Sequence, residues 1–327
     1  MPRLIVSIDA LRHNLALLQE RCRRVGAECM FVFKEAPLHA ALVADVMKKS
    51  TVRRLGLVAW PHAELPSIPG VELHHVYAPS PLLASKVAAC DCAYVNARFT
   101  LQALALACGE KKPELRLCLE VGDDRDGILP EELPELCAIT RNLGFSLRGL
   151  EINFACLSTE APTTEKLLFA DSVLRKVRKF CLPTADISAG GTDVLELTER
   201  ESLPSTVREI RCGTGVTLGR YPLSGRIIPD ARQDAFRLEA QILECRVKKT
   251  RRLALFDVGT FHTAPEKLLS PLPGMRFAGA SSAYASFDVT DCPETLREGM
   301  TLSFSLDYHA LSRALSSQAL PVVREDA

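Results

Sequence analysis

Apolar residues recur over the first two thirds of the chain in short continuous runs, most of them separated by stretches of helical spacing. The first helix is the plainest element. Asp9 reads as its N-cap, and Leu11, Leu15, Leu18 and Cys22 follow at helical intervals with charges between them. Eight strand-like runs come next, at 28–34, 54–60, 72–80, 90–96, 114–121, 148–154, 184–190 and 209–215. Helical patterns lie between them at 36–48, 81–89, 98–109, 130–143 and 161–180. The segments after the second and seventh runs are shorter or less regular. Alternating β and α units predict a parallel sheet, and eight of them predict a closed (β/α)8 barrel, with an open doubly wound sheet as the alternative.

The rhythm breaks after residue 222, where Pro222, Gly225, Pro229 and Asp230 cluster. Strand-like runs follow at 236–248, 253–257, 275–280, 285–289 and 301–306, with helical signal only at 308–317. The expected architecture is α/β. A barrel over 9–222 is joined to a smaller C-terminal β domain over 223–327, and residues 2–8 contribute to that second domain.

Composition narrows the function. The 327 residues carry 40 basic and 40 acidic side chains, so there is no basic excess to suggest a nucleic-acid partner. No apolar run approaches the roughly 20 residues of a membrane span, and no signal-peptide core is visible. The twelve cysteines contain no CxxC, and Cys90-x-Cys92 has no matching second pair, so no metal site is expected. Cysteines within apolar strands fit a reducing cytoplasm.

Barrel chemistry sits at the C-terminal ends of the strands. The first run ends at Lys34, after Phe31-Val32-Phe33. Apolar walls favour a neutral amine that can form a Schiff base, although a strand-end lysine can equally reach out to solvent. Two small-residue loops follow the seventh and eighth runs: Ser188-Ala189-Gly190-Gly191-Thr192 and Cys212-Gly213-Thr214-Gly215. Each alone could be a tight turn. Together, at the places where barrels often bind phosphate, they point to a phosphorylated aldehyde cofactor. Arg211 opens the eighth loop, and an arginine facing a pyridine nitrogen keeps that nitrogen unprotonated.

These residues resemble the alanine racemase family of fold-type III pyridoxal-phosphate enzymes, nearest to its ornithine racemase branch. The segment Ile8-Asp9-Ala10-Leu11-Arg12-His13-Asn14 is similar to the family's first helix, and Phe33-Lys34 stands where the family has its cofactor lysine. Pro37-Leu38-His39 departs from the family's Tyr-Gly-His. The resemblance implies pyridoxal 5'-phosphate held by Lys34, Asn153, Ser188, Gly190, Gly191, Thr192, Arg211, Gly213, Thr214 and Tyr308. It assigns a substrate-binding role to Arg125, within Leu119–Ile128. It also implies a two-base amino-acid racemase or epimerase, acting on ornithine, another basic amino acid or an alanine-like substrate. Such an enzyme is a homodimer whose active site is shared between subunits. Lys34 serves one face of the substrate. The family's tyrosine for the other face is replaced in Gly259-Thr260-Phe261-His262, and the branch's acidic residue is replaced in Ser281-Ser282-Ala283-Tyr284. His262 and Tyr284 are the remaining candidates. The alternatives are a decarboxylase or lyase using the same cofactor, and a non-catalytic carrier of it.

Overall fold

The structure, a computed structural model, describes residues 1–325 and divides into two compact units. One unit is Arg12–Ala231. The other comprises residues 1–11 and the chain from Arg232 onward.

The chain opens with strand β1 (Arg3–Ser7) and helix α1 (Ile8–Arg24). Ser7 rather than Asp9 begins the helix: its Oγ accepts the Ala10 amide at 3.3 Å, and Asp9 lies within the first turn. Leu11, Leu15, Leu18 and Cys22 form the buried face of α1, as their spacing predicts. Each such leucine contributes roughly 1.5–3 kcal/mol of transfer free energy.

The larger unit is the closed parallel barrel. Its strands are β2 (Glu28–Val32), β3 (Arg54–Leu57), β4 (Glu72–His75), β5 (Cys92–Val95), β6 (Glu114–Cys118), β7 (Leu147–Ile152), β8 (Asp186–Gly190) and β9 (Val207–Cys212). The first and last strands pair through Phe31 and Cys212, which excludes the open sheet. Helices α2 (Ala40–Lys48), α3 (Ala84–Ala88), α4 (Arg98–Ala107), α5 (Leu133–Asn142), α6 (Thr164–Val177) and α7 (Asp193–Leu197) lie in the crossovers, and α8 (Thr214–Leu218) follows β9. Residues 58–71, between β3 and β4, contain no helix. Several strands are shorter than their apolar runs. The third ends at His75 rather than 80, because Val76 and Tyr77 continue the pattern into a loop.

The unit extends past the expected boundary at 222 to Ala231. Ile228 donates its amide to Gly219 O at 3.0 Å, and Arg21 Nη2 donates to Pro229 O at 2.9 Å, tying this segment to the barrel.

Barrels are usually filled by branched apolar side chains. This one also buries Arg116, Glu151, Ser188, Glu209 and Arg211. Arg116 Nη2 lies 2.6 Å from Asp186 Oδ1, and Arg54 Nη1 lies 2.7 Å from Glu209 Oε2. Burial alone would raise the Glu209 carboxyl. Arg116, His74 and Arg54 outweigh burial and hold it far below the ordinary range.

The smaller unit is an antiparallel sheet of β10 (Phe236–Lys248), β11 (Arg251–Phe256), β12 (Leu268–Leu269), β13 (Arg276–Ala280), β14 (Ala285–Asp288) and β15 (Thr301–Leu306). Strand β1 pairs antiparallel with β10 and parallel with β16 (Val322–Glu325). Helix α9 (Tyr308–Ser316) is capped by Asp307, which accepts the Ala310 amide at 2.8 Å. Phe256, Phe287 and Phe304 form the aromatic core, with ring centroids 5.3–5.5 Å apart. Among the described residues, no helix is long and apolar enough to cross a membrane.

Candidate active site

The barrel mouth begins with Lys34, two residues beyond β2. Its backbone oxygen accepts the Trp60 indole N–H and the Val58 amide, both at 3.3 Å, which fixes the strand end. Its Nζ lies 5.1 Å from the Tyr77 ring centroid. Arg125 Cζ lies 5.8 Å from the same centroid. Tyr77 is therefore a ring that both sequence-predicted cations approach. Sequence reasoning missed it, because within the third apolar run it looked like one more strand residue.

Arg125 follows β6. Its Nε donates to Asp126 Oδ1 at 2.5 Å, and Asp126 Oδ2 accepts Asn96 Nδ2 at 3.3 Å. Burial would depress the guanidinium pKa, but the hydrogen bond to Asp126 and the nearby negative groups, Glu151 among them, together reverse this and keep Arg125 charged. Asp123 accepts Asn153 Nδ2 at 2.8 Å and the Cys156 amide at 2.8 Å. Burial pushes the Asp123 carboxyl up, and these hydrogen bonds bring it below its ordinary value.

Asn153 directly follows β7 and also reaches β9: its Oδ1 accepts Arg211 Nη2 at 3.2 Å. Arg211 is buried between β7 and β8. Nη2 donates to Glu151 Oε1 at 2.5 Å and to Ile152 O at 2.9 Å, while Nη1 donates to Ser188 O and Oγ at 2.9 and 3.1 Å. Ser188 lies inside the barrel and also meets Tyr94 OH at 3.2 Å. It holds Arg211 from below the mouth.

The two glycine loops are joined to each other. Thr192 Oγ1 accepts the Gly215 amide at 3.1 Å, so the β8 and β9 loops form one unit. Small residues are required by close approach. A Cβ on Gly190 would lie 2.2 Å from Arg211 Nη2, and one on Gly213 would lie 3.2 Å from Val32 O. Gly191 and Thr214 complete these loops. A strand-end amine, linked glycine loops and a buried arginine between them fit a phosphorylated pyridine aldehyde. Lys34 would hold its carbon, the loops its phosphate, and Arg211 the ring edge.

Three further candidates lie on the antiparallel unit. Residues 259–262 and 281–284 form adjacent turns, joined by Thr260 N donating to Ser281 O at 3.0 Å and Phe261 N to Ser282 O at 2.9 Å. His262 and Tyr284 are therefore carried by one paired loop structure. His262 Nδ1 accepts the Gly259 amide at 3.0 Å, and burial lowers the ring's pKa. Tyr284 is exposed. Tyr308 opens α9, with its ring 5.7 Å from that of His309.

Residues 6–220 match the family model for the alanine racemase N-terminal domain. A lysine racemase of Thermotoga maritima is 24% identical over 99% of this chain and 98% of its own length. An ornithine racemase of Acetoanaerobium sticklandii is 22% identical over 97% and 98%. Among solved structures, an alanine racemase from Bartonella henselae with covalently bound pyridoxal phosphate superposes with a TM-score of 0.71 at 15% identity, covering 99% of each chain. The alanine racemase of Streptomyces coelicolor A3(2) gives 0.73 at 16% identity, covering 100% of this chain and 98% of that one. The chain belongs to the alanine racemase N-terminal-domain family, a family of pyridoxal-phosphate-dependent isomerases.

Proposed function

We propose that this protein interconverts the mirror-image forms of an amino acid with a basic side chain, of the ornithine or lysine type, by moving the proton at Cα. The observation that carries the reading is the convergence of Lys34 and Arg125 on Tyr77 at the barrel mouth. In this reading Arg125 takes the substrate carboxylate, and the Lys34 amine takes or returns the α-proton. Asp123 and Asp126, close to Arg125, add negative charge suited to a cationic side chain. The names of the two curated relatives support the same substrate class.

When bound, pyridoxal phosphate supplies the electron-withdrawing system that acidifies the Cα–H bond. Asn153, Ser188 and Glu151 orient Arg211, and the joined β8 and β9 loops present Gly190, Gly191, Thr192, Gly213 and Thr214 to the phosphate. For Tyr308, a phosphate role rests on the family resemblance alone. Thr260 is far too weak an acid for proton transfer at neutral pH. His262 or Tyr284, from the antiparallel unit of a second copy, therefore serves the other face of the substrate. This completes a two-base scheme in a cytoplasmic homodimer.

The test is incubation of L- and D-ornithine, L- and D-lysine and L- and D-alanine with the cofactor-loaded protein in deuterated water. α-Deuterium together with the mirror-image product from ornithine or lysine supports the reading. Exchange and inversion restricted to alanine would move the substrate class. Carbon dioxide or side-chain loss would replace racemisation with the decarboxylase or lyase reading. A visible cofactor band with no exchange for any substrate would favour a carrier.

A further inference from the structure

Cys22, Cys29 and Cys212 are remote in sequence and converge on the seam where the barrel closes. Cys22 lies on the last turns of α1, Cys29 on β2 and Cys212 at the end of β9. All three are buried, and their Sγ atoms lie within 4.8 Å of one another. Strands β2 and β9 are the first and last of the barrel and pair directly, Cys29 opposite Ile210 and Phe31 opposite Cys212. Strand alternation sends Arg211 inward and Cys212 outward, beneath α1.

We propose that these three cysteines form a binding site for a soft d10 cation of the Cu(I) type, which clamps the closure seam of the barrel. Thiolate donors select Cu(I) and Zn(II) among biological cations. Structural zinc almost always takes four protein ligands, and this cluster offers three side-chain donors, which favours the three-coordinate ion. Metal–sulfur bonds of about 2.3 Å place three trigonal sulfurs about 4 Å apart. A set already within 4.8 Å needs only small side-chain movement to reach that spacing. On binding, a coordinating thiol that ionises releases its proton to solvent. The usual alternative, three thiols acting as small core hydrophobes, predicts no retained metal.

Cysteine spacing alone does not point to this set, because spacing rules look for paired cysteines close together along the chain. The site is independent of the proposed reaction and is read out without it.

The experiment uses the full chain loaded with pyridoxal phosphate. Cys108, Cys156, Cys181 and Cys245, the less buried thiols, are changed to serine to remove surface binding. Cu(I) is added anaerobically with a non-thiol reductant, and the protein is then desalted against a competing Cu(I) chelator. The proposal expects stoichiometric copper with three sulfur neighbours by X-ray absorption, a raised thermal midpoint, and displacement of Zn(II) by Cu(I). Cys22→Ser and Cys29→Ser should lose the copper and the thermal shift. Retained copper unchanged in those variants, or absent from the parent, would overturn the proposal. Should the variants not fold, the sulfur count in the parent decides: two or fewer sulfur neighbours overturns it.

Discussion

Arg211 Nη2 lies 2.5 Å from Glu151 Oε1 inside the barrel, and both side chains are almost wholly removed from solvent. The pair is neutral as a unit, which is how a guanidinium can be tolerated there. Burial would push the Arg211 pKa down, and Glu151, Tyr94 and Glu209 together more than restore it. Removing one partner leaves an uncompensated buried charge. Glu151→Ala should therefore lower unfolding free energy by about 3–5 kcal/mol in denaturant titration, and Glu151→Gln by less. A double cycle with Arg211→Met should recover much of the loss. Additive losses would show that the pair acts as two independent residues.

Gly190 is confined by the same arginine. An added methyl would stand 2.2 Å from Arg211 Nη2 and 2.7 Å from Asn153 Oδ1. Gly190→Ala must displace one of them, at a cost of about 1–3 kcal/mol. Because both residues frame the proposed cofactor position, pyridoxal phosphate should also dissociate more readily, as followed by its visible band during dialysis. Gly225→Ala is the comparison. An added Cβ there meets no atom, though its φ of +67° adds local strain, and cofactor retention should not change.

Much of this arrangement was legible in the residues. The eight apolar runs, the change of rhythm past Pro222 and the two glycine loops follow from local periodicity and backbone freedom, which a sequence displays directly. The roles of Asn153 and Arg125 rest on the family resemblance and that of Arg211 on its place at the eighth loop, and the structure joins all three through Asp123 and Asn153. Tyr77 and Glu151 were not seen. Each sits in a strand-like run, and its partner is remote in the chain: Lys34 and Arg125 for Tyr77, Arg211 for Glu151. The polar barrel interior did leave a trace. Glu209 and Arg211 alternate on one face of β9, a period-two pattern that apolar scoring passes over. The buried face of the first helix follows from its spacing, but its start does not, because Ser7 and Asp9 are both competent caps.

His75 gives the fold a defined acid sensitivity. Burial lowers its pKa from 6.5 to about 4. Nδ1 lies 2.9 Å from Tyr77 O and carries the hydrogen, while Nε2 is buried without a hydrogen-bond partner among the described residues. The folded state thus resists protonation where the unfolded chain accepts it. Stability should fall as pH drops from about 6.5 to 4, by at most about 3 kcal/mol from this residue, and then level off for it. Glu72 acts lower. Hydrogen bonding from His74 holds it at about 2, so its contribution is lost only as pH falls from about 4.5 toward 2. His75→Asn keeps a donor toward Tyr77 O without a titrating ring. It should flatten the stability profile between pH 6.5 and 4 and leave the lower limb unchanged. An unaltered upper limb would assign that slope to other groups.

Arg125 and Lys34 share Tyr77 but should separate kinetically. If Arg125 holds the substrate carboxylate, Arg125→Gln removes a charge-assisted hydrogen bond while leaving the cofactor lysine intact. Such bonds contribute about 1.5–3 kcal/mol, so KM should rise roughly 10- to 100-fold with the visible cofactor band preserved. Arg125→Lys should rescue only part of this, because an ammonium cannot reproduce the planar two-pronged contact. Lys34→Ala should instead abolish the band and lower α-proton exchange by at least about 100-fold. Tyr77→Phe keeps the ring face toward both cations and should resemble the parent, whereas Tyr77→Ala should impair both functions modestly. An Arg125→Gln variant with unchanged KM would remove Arg125 from substrate binding, leaving its contacts with Asp126 and Tyr77 as its structural role.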